Sequence, residues 1–192
     1  MAFLRSPSIQ RGATPGKCLA CVCAVLLASS LAAETPNVEY RIKSAYIFNF
    51  AKFVTWPSAA FASADAPIVI GILGKDPLGS ELDQTIAGKT IERRQLQVRR
   101  LRETDPINGC HILFISESER KRLPQIFENA ACLSILSVGE VDDFTDVGGM
   151  IRFLKYENNI RFVIDLPPVE AAGLKISSKL LQVAVVKGKS RK

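Results

Sequence analysis

The sequence predicts an α/β fold: a mostly parallel sheet with flanking helices, a C-terminal β-hairpin and a closing C-terminal helix, in a single domain. Two observations carry this. First, Cys110-His-Ile-Leu-Phe-Ile-Ser116 contains four consecutive large apolar residues, the pattern of a strand buried on both faces. Second, it is followed at once by a helix-start signal, then a helical stripe, then another apolar run, which is the order of a right-handed β-α-β crossover.

The elements follow in chain order. Residues 1–32 read as a secretory signal peptide, since Arg5, Arg11 and Lys17 precede an uncharged apolar core from Cys18 to Leu31. Cleavage after Ala32 satisfies the small-x-small rule through Ser30 and Ala32, better than cleavage after Ala33. The apolar core falls short of the roughly 20 residues of a membrane-spanning helix. Cys21 does not stand in lipoprotein context. The expected domain is residues 33–192.

Val38 to Trp56 carries Ile42, Ala45, Tyr46, Asn49, Phe50 and Phe53 at helical spacing, and Trp56-Pro57 ends it. Pro67 to Leu73 reads as a second strand, leading into Gly74-Lys-Asp-Pro-Leu-Gly79 and a short helix toward Ala87. Gly71, Gly74, Gly79 and Lys75 suggest a phosphate-binding turn, but the spacing fits neither the dinucleotide pattern nor the P-loop, so a tight turn without ligand is the expectation. Arg93 to Arg102 alternates like a half-exposed strand. Its five arginines fit protection of a sheet edge better than anion binding.

Ser116 and Glu119 have capping-box spacing, and the helix they open would present Leu123, Ile126, Phe127 and Ala130. Leu133 to Val138 is the next strand. After the Asp142-Asp143 and Gly148-Gly149 turns, Met150 to Leu154 and Ile160 to Leu166 form a hairpin around Asn158-Asn159. Pro167-Pro168 stops it. Leu174 to Ala184 reads as the last helix, and Lys187 to Lys192 as a basic tail.

Removing residues 1–32 leaves 22 basic against 19 acidic residues and lowers the net charge from +6 to +3. With no aromatic residues among the arginines, this gives no basis for nucleic-acid binding. Of the five cysteines only Cys110 and Cys132 remain. Cys110 begins one strand and Cys132 sits just before the next, and if the strands are neighbours the α-carbons lie about 5 Å apart. An oxidising compartment favours a disulfide worth on the order of 3 kcal/mol, and two unpaired buried thiols are the alternative. With His111 as the single histidine, two sulfurs do not complete a metal site. No catalytic constellation emerges either. His111 lies in the most buried strand, Ser118 and Lys121 match Ser-x-x-Lys without its accompanying elements, and Asp142 and Asp143 point in different directions. No cofactor is expected.

Four stretches match a known family in order and wording: Tyr40-Arg-Ile-Lys-Ser-Ala-Tyr-Ile-Phe-Asn-Phe-Ala-Lys-Phe-Val-Thr-Trp-Pro57, Cys110 to Ser116, Gly148-Gly-Met-Ile-Arg-Phe153 and Leu174-Lys-Ile-Ser-Ser-Lys-Leu-Leu181. The sequence resembles the YfiR/HmsC-like periplasmic proteins. The resemblance implies an exported α/β domain without catalytic activity, which binds the periplasmic part of an inner-membrane diguanylate cyclase and holds it inactive. It implies no direct membrane insertion and leaves a homodimer open. Phe162-Val-Ile-Asp165 departs from the family's Phe-Glu-Ile-Asn, which removes an acidic side chain from that strand. A periplasmic small-ligand-binding protein using the Gly71 to Gly79 turn is the alternative function. Because both faces of the hairpin carry bulky apolar groups, the partner surface is expected at Ile151, Val163 and Val169.

Overall fold

The computed structural model describes residues 38–157 and 159–188. The expected leader lies outside them. The first helix, α1 (Val38–Phe53), is followed by β1 (Val54–Thr55), β2 (Ile68–Leu73), α2 (Gly79–Ile86), β3 (Thr90–Ile91) and β4 (Arg94–Leu101). Next come β5 (Ile112–Ile115), α3 (Leu123–Ala130), β6 (Leu136–Gly139), β7 (Ile151–Tyr156) and β8 (Asn159–Ile164). The chain closes with α4 (Leu166–Ala171), β9 (Lys175–Ile176), α5 (Ser178–Val183) and β10 (Val185–Val186).

Eight strands form one sheet in the order β10-β8-β7-β6-β5-β2-β4-β3. The five from β4 to β7 run parallel, and the β7–β8 hairpin and short β3 add antiparallel pairs. This is the mostly parallel α/β architecture that the β5 run and its crossover predict, and its strand order makes it doubly wound. All four residues of β5 are buried between β2 and β6. The Trp56 Nε1 donates to the His111 carbonyl at 3.1 Å, tying the end of the first helical segment to the start of the central strand.

One face of the sheet, with Ile70, Ile72, Phe114, Val138, Phe153 and Phe162, packs against Ile47 and Phe50 of α1, Leu82 of α2 and Leu180 of α5. Tyr46, Phe50, Phe153 and Phe162 interlock there with ring centroids 5.1–6.3 Å apart. The opposite face, with Leu73, Leu113 and Ile115, is covered by Leu123 and Ile126 of α3 and by Phe144. That cover stops short of the C-terminal hairpin. On this side Arg152, Leu154 and Val163 are half-buried and Val185 is 47 % exposed, whereas Ile151, Phe153, Ile160, Phe162 and Ile164 on the other side are buried.

Two local expectations are corrected. The buried face of α1 is Lys43, Ser44, Ile47, Phe50 and Ala51, not the stripe begun by Ile42, which is 40 % exposed. Its phase is set by what the helix packs on, since both flanks of this helix carry apolar residues. The capping box also does not close. Ser116 Oγ accepts from Ser118 N–H, but the Glu119 carboxylate turns to Ser118 Oγ and to Arg122, 2.6 Å away, and residues 117–122 form a 3-10 turn before α3 begins.

Candidate functional site

In a sheet wound outward from a central pair, ligands bind where the strand order reverses, at the carboxyl ends of the strands. Here that point is the end of β2 beside β5, and it is closed. Gly74, at φ 88°, leaves no room for a side chain: a Cβ there would lie 2.3 Å from Ser118 Oγ and 2.7 Å from Glu119 Oε1. Three N–H groups of the turn have acceptors on neighbouring side chains. Lys75 N–H donates to Ser118 Oγ at 3.0 Å, and Leu78 and Gly79 N–H both donate to Asp76 Oδ1 at 2.9 Å. Arg100 holds Asp76 and Asp83 from the other side. A carboxylate therefore occupies the place a phosphate would take, and the Gly71 to Gly79 segment is a self-satisfied turn.

The open space lies two strands away. Strand β6 ends at Gly139, opposite Arg152, while β7 runs on for four more residues to Tyr156. The result is a notch of about 670 Å³ above the end of β6, lined by Glu39, Tyr40 and Lys43 of α1, by Glu117 after β5, by Glu140 and Asp142 after β6, and by β7. Its floor is an ion-pair network. Lys43 is only 5 % exposed and lies 2.5 Å from Glu140 and 2.7 Å from Glu39, with its ammonium 4.6 Å above the Tyr40 ring. Burial works against the lysine charge, but the hydrogen bonds and charges of Glu140 and Glu39 outweigh it and hold Lys43 above its ordinary range. The same contact holds Glu39 below the usual carboxylate range, against the opposing effect of burial. Tyr40 is raised by burial and by the Glu140 charge.

Arg152 is the less satisfied cation of the wall. Its Nη1 reaches Asp142 at 3.5 Å, a carboxylate 94 % exposed, and its Nε is buried without a hydrogen-bond partner. Lys155 lies 3.8 Å from Glu39 at the outer rim. The sequence signal for this site was Lys43 itself, which stands four residues before Ile47 and seven before Phe50, on the side of α1 that faces inward.

The expected site residues disperse. Ile151 and Val169 are 0 % and 1 % exposed and belong to the core. Ile151 pairs with Ile164 on the face covered by α1, and Val169 lies in a short helix that turns back under the sheet instead of returning to the surface. Only Val163 is half-exposed, in line with Arg152 on one side and Val185 on the other.

The cysteines are also apart. Both thiols are free, Cys110 buried and Cys132 exposed. Leu136 N–H donates to the His111 carbonyl and Ile112 stands opposite Leu136, so the strand register carried back two residues brings Ser134, not Cys132, to the level of Cys110. The Cys110 sulfur instead takes a hydrogen bond from Arg99 Nη2 at 3.1 Å, and burial raises its pKa against the opposing Arg99 charge. His111 is 4 % exposed. Its Nδ1 accepts from Val69 N–H at 3.1 Å, and the Phe61 ring stacks on it at 4.4 Å. Among the described residues no cluster of three or more His, Cys, Asp or Glu side chains is arranged to hold a metal ion, and no helix is long and apolar enough to cross a membrane.

No curated protein matches the chain. The family profile described as YfiR/HmsC-like matches residues 40–185, which spans the sheet from α1 to β10, and the chain belongs to that family.

Proposed function

We propose that this protein is a periplasmic regulatory binding protein that represses an inner-membrane diguanylate cyclase by protein–protein contact, without catalysis of its own. The observation that carries the reading is the family match over residues 40–185. The side-chain chemistry agrees with a binding role. The charged groups of the notch are mostly engaged with one another, the single histidine is packed in the core, and the glycine turn at the strand-order reversal is filled by its own side chains. The half-open sheet face of Arg152, Leu154, Val163 and Val185 supplies a surface that a partner can cover.

The test is a pull-down from solubilised inner membrane with the full exported chain as bait, followed by a cyclase assay. Recovery of a diguanylate cyclase whose activity falls as the protein is added supports the reading. Absence of any cyclase, or a recovered cyclase with unchanged activity, overturns it. Intact mass of the periplasmic protein, expected to begin at Ala33, tests export and cleavage.

A further inference from the structure

The notch is the space that β6 would fill if it were four residues longer. Its walls are β7 on one side and the turn after β5 on the other, two strand spacings apart, or roughly 9.6 Å. One strand fits between them. In the β7–β8 hairpin, Asp165 N–H donates to the Met150 carbonyl and the pairing runs on in register to Tyr156 opposite Asn159, so Arg152, Leu154 and Tyr156 direct their backbone groups to β8 while Ile151, Phe153 and Lys155 direct theirs the other way. Beyond Gly139 no strand among the described residues pairs with that side. The Phe153 carbonyl and the Lys155 N–H and carbonyl therefore face the notch with no hydrogen bond to them among the described residues. A carbonyl followed two residues later by an N–H is the pair that an added β-strand engages. Exposed strand edges of this kind are ordinarily blocked, as β4 is by β3 at the other end of this sheet.

We infer that the notch receives an extended polypeptide segment of the cyclase's periplasmic region, which pairs with the Phe153–Lys155 edge of β7 as an additional strand above β6. This rests on the regulatory reading above and names its contact. The unpaired backbone groups select a peptide over other ligands, because only another backbone offers donors and acceptors in this alternation. Arg152 adds a side-chain requirement. The added residue opposite Leu154 points to the same face as Arg152, whose Nε is buried without a partner and whose one carboxylate among the described residues, Asp142, is 94 % exposed. An acidic side chain at that place completes the guanidinium's contacts. The surface continues across Val163 and Val185, which lie in line with Arg152 on the same face.

The edge can be blocked without disturbing the hairpin. Lys155→Pro removes the notch-facing N–H and places the ring where the added strand would lie, yet takes no hydrogen bond from the β7–β8 ladder. Lys155→Ala removes the charged side chain and keeps the notch-facing N–H. With the full exported chain and the cyclase retained in the pull-down, Lys155→Pro is expected to weaken binding by about tenfold or more, and Lys155→Ala by less than about threefold. In the wild-type complex, amide exchange in residues 151–156 is expected to slow at least about tenfold relative to the free protein. This second measurement stands even if the proline variant does not fold.

If the cyclase binds while exchange in residues 151–156 is unchanged, the inference is wrong and the regulatory reading stands. If Lys155→Pro folds and binds like wild type, the outcome is the same. Protection that grows with the protein's own concentration, without cyclase, makes a second copy the occupant and also overturns it. If no cyclase is retained at all, the reading and the inference fall together.

Discussion

Lys43 shows how a single side chain fixes a local arrangement. Its ammonium is nearly buried between Glu140, at the end of β6, and Glu39, in the first turn of α1. Lys43→Met removes the charge but not the bulk and leaves two carboxylates facing each other. The expected cost is about 3 kcal/mol, read as a drop in melting temperature, with partial recovery in Lys43→Met/Glu140→Gln. His111 acts through titration. Its Nδ1 accepts from Val69 N–H, so protonation there puts a hydrogen against a donor at the start of β2. Burial lowers its pKa from 6.5, with the Ala60 carbonyl opposing and the Arg94 charge adding to the shift. A folded pKa below the unfolded one means that this contribution to stability is fully present above pH 6.5 and is lost as pH falls through the folded value. Denaturant titrations between about pH 7 and 5 should show stability falling with pH, and His111→Gln should flatten that slope.

At the scale of elements, the segment between β6 and β7 is held by a ring on two glycines. Phe144 is buried, and a Cβ at Gly139 would lie 2.4 Å from its ring while one at Gly149 would lie 2.2 Å from its ring and 2.6 Å from its carbonyl oxygen. Neither position can take a side chain unless Phe144 leaves. Gly149→Ala should therefore cost about 2 kcal/mol, and Phe144→Leu, which vacates part of the space, should reduce the penalty in the double variant. These turns place Glu140 on the notch floor and Asp142 beside Arg152, so the motif Gly148-Gly149 shapes the site without touching it.

For the molecule as a whole, the sheet separates residues that the sequence groups together. Ile151→Asp and Val169→Asp each place a charge in the core and should unfold the protein or cost several kcal/mol, about 3 or more. Val163→Asp, on the half-open face, should leave the melting temperature nearly unchanged while weakening cyclase binding by about 2 kcal/mol. Melting curves and a binding titration of the three variants check both halves. A folded, fully binding Val163→Asp removes this face from the partner surface.

What the sequence determined by itself was the succession of elements and the parallel sheet, because burial on both faces leaves an uninterrupted apolar run such as Ile112 to Ile115, and a crossover helix leaves its own period. The YfiR/HmsC-like motifs were legible for the same reason: they are strings of neighbours. Only the tertiary structure decided which face of α1 points inward, where Ile151 and Val169 go, and that Cys132 misses the level of Cys110. These depend on the register and lengths of strands distant in the chain. The notch has no sequence motif, since it arises from a difference in length between β6 and β7, and a difference between two strands is a property of their pairing.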